Sequence, residues 1–221
     1  MSDFSAARQN MVDCQIRPSD VTDARIIDAM LAVPREIFVP DNLRPLAYLD
    51  MNLPVSEVGS AKRVLVKPAV LAKLLQAAEI GAADSILVVG CASGYTAAVA
   101  ARLGMRVTAT DPDAGLVKRA NEAFAQLGIT TATAKLAKTT DGDSANAPYD
   151  VIVLEGASEM VPEGLYRQLK DGGRLVGIMP VGQLQRAVIV TRTRDDFGTR
   201  VLFDASEPVL PGLGRVPEFA F

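Results

Sequence analysis

The segment from residue 84 onward constrains the fold most, because it alternates short apolar runs with helix-patterned stretches. Residues 86–89 are four consecutive apolar residues closed by Gly90, the pattern of a strand buried on both faces of a parallel sheet. Residues 95–103 are alanine-rich and stop at Gly104, which reads as a helix with a glycine stop. Residues 106–110 alternate and end in Asp111, and residues 112–127 read as a helix opened by Pro112 and closed by Gly128. Residues 130–136 are β-branched, 149–154 repeat the buried-strand pattern, 162–169 suit a helix, and 174–179 form another strand after Gly172 and Gly173. Residues 187–192 and 200–204 follow with no helix between them. The turn-like Asp195-Asp196-Phe197-Gly198 separates them, so the pair reads as an antiparallel hairpin. Right-handed crossovers turn such a series into an open parallel sheet with helices on both faces. The expected fold is α/β, a doubly wound seven-stranded sheet with a terminal antiparallel hairpin.

Ahead of this core, residues 81–221, the first 80 residues read as a helical N-terminal cap continuous with it. A helix is expected over 22–33, with Ile26, Ile27, Met30 and Leu31 on one face, then a proline-punctuated stretch over 34–54 and a helix over 68–78. The chain has 221 residues, 49% of them apolar, which suits one domain with a large core. Its 23 Lys and Arg against 26 Asp and Glu leave no basic excess for phosphates, so nucleic acid is not an expected partner. Residues 1–18 lack the apolar core of a signal peptide, and the most apolar stretch, 85–103, is broken by Gly90, Ser93 and Gly94. No membrane association and a cytoplasmic location are expected. Cys14 and Cys91 are too few for a disulfide framework and are expected to be reduced, while residues 135–147 read as a polar surface loop. There is no histidine, which excludes Ser-His-Asp and Cys-His nucleophile systems and histidine-based zinc or iron sites; no metal centre is expected.

The first core strand runs into Gly90-Cys91-Ala92-Ser93-Gly94-Tyr95. A dinucleotide fingerprint needs a small residue where Tyr95 stands, which disfavours a nicotinamide oxidoreductase. The spacing instead suits the Gly-x-Gly-x-Gly loop of methyltransferases with Ala92 in the central place. Gly90, Ala92, Ser93 and Gly94 would then bring backbone close to a ligand's sugar and amino-acid part; the alternative is a tight strand-to-helix turn with no ligand. Asp111 closes the second strand 17 residues after Gly94, where a carboxylate accepts both hydroxyls of a ribose. It also suits the N-cap of the helix that follows, and the two roles can coexist.

From Met11 to about Val209 the chain resembles the protein-L-isoaspartate O-methyltransferases, a family that uses S-adenosylmethionine. Ile26-Ile27-Asp28-Ala29-Met30 leading into Val33-Pro34-Arg35-Glu36-Ile37-Phe38-Val39-Pro40 matches the family's leading helix and its VPRE-x-F signature. Ala47-Tyr48-Leu49-Asp50 with Leu53-Pro54, the glycine loop with its Tyr95, Pro148-Tyr149-Asp150, Gly172-Gly173-Arg174-Leu175 and Pro180-Val181-Gly182 match further segments. Three departures sit near the site. The family's Thr-Ile-Ser hydroxyls fall on Val64 and Val66, its first-strand Glu on Val88, and its Gly-Asp-Gly near Ala137-Lys138-Thr139. At roughly 1.5–3 kcal/mol per hydrogen bond to a charged group, losing the Glu and the Asp removes about 3–6 kcal/mol of cofactor affinity.

The resemblance implies methyl transfer from S-adenosylmethionine to a damaged protein carboxylate, a protein-repair reaction on a protein or peptide bearing isoaspartyl residues. A carboxylate is ionised well below pH 7 and needs no base, which agrees with a chain lacking histidine. Glu155, directly after the 149–154 strand, is expected on the ligand rim as a replacement cofactor contact, or else as a solvated loop acid. Lys62, Arg63 and Lys67 form a basic cluster facing the substrate side. Arg63 could hold a carboxylate bidentately beside Ser60, the alternative being a solvated basic face. The tail 208–221 is expected to pack back on the domain or to dock on a second subunit. A different class of function stays open beside the enzyme: a non-catalytic paralogue whose eroded cofactor site leaves it a binding module.

Overall fold

The computed structural model describes residues 4–56 and 62–215. The N-terminal part opens with α1 (Ser5–Met11), which continues through helical turns to Ser19, and α2 (Ala24–Ala32). Asp23 caps α2 by accepting the Arg25 amide at 2.9 Å. Two 3-10 turns, Arg35–Phe38 and Asp41–Leu46, carry the proline-punctuated stretch. A two-residue hairpin of β1 (Leu53–Pro54) and β2 (Val64–Leu65) follows, so the cap is not wholly helical. The next element, α3 (Pro68–Ala78), spans the residues expected, with proline in its first turn. Its free N-terminal donors are met from the Ala47–Pro54 motif: Asp50 accepts the Ala69 amide at 3.1 Å and Asn52 the Lys67 amide at 2.9 Å.

The core then runs β3 (Ser85–Val89), α4 (Tyr95–Ala100), β4 (Arg106–Asp111), α5 (Ala114–Gln126), β5 (Ala132–Leu136), β6 (Tyr149–Ala157), α6 (Glu163–Tyr166), β7 (Leu169–Val181), β8 (Leu184–Thr193) and β9 (Asp196–Asp204). Seven of these strands form one sheet in the order β5-β4-β3-β6-β7-β8-β9. The first five are mutually parallel; β8 runs against them and pairs antiparallel with both β7 and β9. The expected architecture is therefore present, with β3 in the middle of the five parallel strands. Boundaries moved for local reasons. Asp113, not Pro112, opens α5: its carboxylate accepts the Gly115 and Leu116 amides at 2.8 and 3.1 Å. The β8–β9 turn is Arg194-Asp195, with Arg194 at φ +59°, and residues 196–198 belong to β9.

Alternation along β3 divides the core. Ile86 and Val88 join α3, α4, α5 and the N-terminal segments in one cluster, so cap and core share a hydrophobic interior. Leu87 and Val89 face a smaller cluster built from Leu165 and Tyr166 of α6 and from Leu210 and Leu213. Helices do not cover this second face evenly. The β5–β6 connection holds only a 3-10 turn, Ser144–Asn146, and the C-terminal segment supplies the rest. Leu210 donates its amide to Ala157 at 2.8 Å and is buried, so the tail folds back as far as residue 215; residues 216–221 lie outside the described part.

Candidate active site

Strand order reverses on either side of β3, and at such a switch point the carboxyl ends of neighbouring strands leave a crevice for ligands. Here the ends of β3, β4 and β6 bring together the glycine loop, Asp111 and Glu155. The loop turns sharply, with Gly90, Ala92 and Gly94 at φ +71°, +49° and +98°. Glycine at 94 is needed for packing as well as for backbone geometry, since a Cβ there would lie 2.8 Å from that of Ala120. The loop is fixed by the Gly90 and Cys91 amides, which donate to the Thr110 carbonyl at 2.8 and 2.9 Å. The Ser93 hydroxyl donates to the Phe38 carbonyl, and residues 91–100 are all buried. The VPRE-x-F segment thus lies directly over the loop.

Asp111 is fully buried and does not cap α5. Its Oδ1 accepts the Asp113 amide at 3.0 Å. Its Oδ2 accepts three donors: the Ala92 amide at 2.9 Å, Arg63 Nη2 at 2.9 Å and Arg63 Nε at 3.2 Å. Arg63 Nη2 also donates to the Gly90 carbonyl. Arg63 is only 3% exposed, so it is not a solvated face, and it turns inward to the carboxylate 48 residues away. Lys62 is exposed and Lys67 partly so; the basic cluster does not act as one surface. Ser60 lies outside the described residues.

Glu155 is likewise buried, not a solvated loop acid. Burial pushes its carboxyl up to about 8, with Thr96, Arg63 and Arg35 pulling the other way and Asp111 adding to the rise. It is therefore mostly protonated at neutral pH. Its Oε2 and the Thr96 hydroxyl are without hydrogen-bond partners. Arg35, which the sequence marked only as part of a signature, belongs to the same interior. It is fully buried and donates Nε to the Ala47 carbonyl and Nη2 to the Val66 carbonyl, each at 2.9 Å. Its Cζ stacks 4.7 Å from the Tyr95 ring centre, while its Nη1 and the Tyr95 hydroxyl stay unpartnered. Cys91 is buried beside Asp111, and burial raises its thiol well above the ordinary range, so it is no nucleophile.

The three departures have structural counterparts. Val64, Val66 and Val88 are buried apolar residues, and Lys138 is exposed, one position after Ala137, whose amide donates to the Asp111 carbonyl at 3.1 Å. The C-terminal segment brings a residue that no sequence motif marked. Leu210 Cδ2 lies 2.6 Å from where a Cβ on Gly90 would stand and 2.7 Å from one on Gly156. Arg63 Nη2 lies 2.8 Å from that same Gly90 position, so the space that glycine clears is taken by the chain itself. Beside the site, Val55, Asp113, Leu116 and Arg119 line an open hollow of about 370 Å³. No helix among the described residues is long and apolar enough to cross a membrane, and no group of His, Cys, Asp or Glu among them could hold a metal ion.

Comparison with known proteins gives one consistent likeness. Residues 6–207 match the family model described as protein-L-isoaspartate(D-aspartate) O-methyltransferase (PCMT). The protein-L-isoaspartate O-methyltransferase of Methylorubrum extorquens is 37% identical over 214 residues, 96% of this chain and 92% of that one. That of Geobacter metallireducens is 35% identical over 198 residues, 90% and 89% of the two chains. Among solved structures, a protein-L-isoaspartate O-methyltransferase superposes with a TM-score of 0.82 at 23% identity, covering 94% of this chain and 67% of that one. The Plasmodium falciparum beta-aspartate methyltransferase, solved in complex with S-adenosyl-L-homocysteine, gives 0.75 at 17% identity, covering 95% and 99%. At these identities the two structures support the fold.

Proposed function

The chain belongs to the protein-L-isoaspartate(D-aspartate) O-methyltransferase family, and from that premise we propose that it methylates isoaspartyl carboxylates of damaged proteins or peptides, with S-adenosylmethionine as donor, in the cytoplasm. The carrying observation is the family match over residues 6–207, which takes in the cap, the glycine loop and the terminal hairpin together. The chemistry agrees. When bound, the donor supplies a methyl group already activated on a sulfonium, and a carboxylate acceptor arrives ionised, so proximity and exclusion of water are the main demands. A chain without histidine can meet them.

Donor and site do not fit in the arrangement described. Oδ2 of Asp111, the group assigned to the ribose, already accepts three donors, and the surface over Gly90 is filled by Arg63 and Leu210. In our reading Gly90, Ala92, Ser93 and Gly94 form the loop that approaches the donor, Asp111 takes its hydroxyls and Glu155 lies beside it, but only after Arg63 leaves. Arg63 in its buried position cannot also hold the substrate carboxylate, and that role is left to the segment around Ser60. The binding-module alternative draws on the same filled site, and the test separates the two. The chain is incubated with millimolar S-adenosyl-L-[methyl-³H]methionine and an isoaspartyl peptide, and label is read as volatile methanol after alkali. Base-labile label supports carboxyl methylation; its absence at saturating donor overturns it.

A further inference from the structure

We propose that Arg63 is an internal occupant of the donor site, holding Asp111 in place of a ligand's hydroxyls, and that an adenosyl ligand binds only by displacing it. The inference rests on the family reading for the ligand's identity; the occupancy stands on geometry.

A carboxylate oxygen offers about two lone-pair directions, and Oδ2 of Asp111 already serves an amide and both donor nitrogens of one guanidinium edge. Any diol reaching this oxygen must take the guanidinium's place. The third contact of the guanidinium, Nη2 to the Gly90 carbonyl, lays it over the turn whose missing Cβ would admit a ligand. An ordinary structural salt bridge gives a weak account of this pair. Buried ion pairs bring little net stability over apolar replacements, and this one sits at the strand ends where the fold's ligands bind, not in the sheet interior. A planar guanidinium also suits the task better than lysine, because two of its nitrogens donate to the same Asp111 oxygen while one of them still reaches a carbonyl.

The displacement needs only a side-chain swing. The Arg63 backbone is anchored at the β1–β2 hairpin: the Val55 amide donates to the Arg63 carbonyl at 3.0 Å, and the Arg63 amide donates to Ser56 Oγ at 3.1 Å. A closed form that dominates lowers apparent affinity by the fraction of molecules that are open, so removing the occupant should tighten binding without any new ligand contact.

Calorimetric titration with S-adenosylhomocysteine compares the unmutated protein with Arg63→Gln and Arg63→Lys. The expected result is at least a tenfold lower Kd for Arg63→Gln, with Arg63→Lys between the two. Equal or weaker binding by Arg63→Gln, or no binding by either protein, overturns the proposal. Should Arg63→Gln fail to fold, the unmutated protein still decides. Its Arg63 Nε–H nuclear magnetic resonance should be protected from solvent exchange in the free state and lose that protection at saturating S-adenosylhomocysteine. A protected signal that persists in the liganded protein overturns displacement. Isoaspartyl methylation alongside binding that is insensitive to Arg63 would refute the occupant and leave the function standing. Tighter binding by Arg63→Gln without methylation would do the reverse.

Discussion

Replacing Glu155 with glutamine should change how stability depends on pH, and the size of the change follows from the site. In the folded protein the Glu155 carboxyl is lifted to about 8, chiefly by burial, against an ordinary value of 4.5. Between these values the folded state keeps a proton that the unfolded state releases, so stability falls as pH rises through the window and levels off above pH 8. Each unit of difference in pKa corresponds to about 1.4 kcal/mol. From pH 5 to pH 7.5 the unmutated protein should therefore lose about 3 kcal/mol that Glu155→Gln does not. Glutamine keeps the shape and carries no titratable proton, so little else changes. Urea unfolding of both proteins at half-unit steps from pH 5 to pH 8 measures the difference, and titrations common to both cancel, including that of Glu207, which burial also raises. A difference that stays flat across this range would refute the reasoning, because it would mean that Glu155 is hydrated or ion-paired in the folded state.

Three further outcomes follow from packing, capping and burial. Leu210→Ala should cost roughly 2–5 kcal/mol, since it empties a buried position against Gly90 and Gly156; a melting temperature lowered by less than about 3 °C would show that the segment is not packed there. Asp113→Ala should cost about 1 kcal/mol through loss of the α5 cap, read as a shifted urea midpoint with an unchanged slope. An unaltered midpoint would return the capping role to another residue. Ellman's reagent should find one fast-reacting thiol per native chain, exposed Cys14, and a second, Cys91, only after unfolding; two fast thiols would contradict the buried loop.

Much of the fold was legible because its signals are local. The buried run 86–89, the proline at the start of α3 and the acid closing β4 each depend on a few neighbouring residues, and the structure places all three as read. Errors arose where neighbours compete. Pro112 and Asp113 both announce a helix start, and the side chain that satisfies two amides prevailed. The terminal turn moved because Arg194 accepts a positive φ where Gly198 was the expected turn residue. At the site, the loop and Asp111 were legible from strand–turn–helix spacing, whereas the state of Arg63 was not. A basic residue between Lys62 and Lys67 reads as solvated, and only long-range packing brings its fork to a carboxylate 48 positions away. Glu155 was legible as a rim residue after the 149–154 strand, but its burial, like that of Arg35, was not: burial of a charge is a tertiary fact that no local pattern carries.

The proposed activity is tested most directly by competition in one tube. An isoaspartyl peptide and its normal aspartyl counterpart, equimolar, are incubated with the full chain and millimolar S-adenosylmethionine, and mass spectrometry follows a methyl increment on each. The increment should appear on the isoaspartyl peptide alone, at a rate that rises for Arg63→Gln at subsaturating donor. Equal modification of both peptides, or none on either at saturating donor, would contradict that activity.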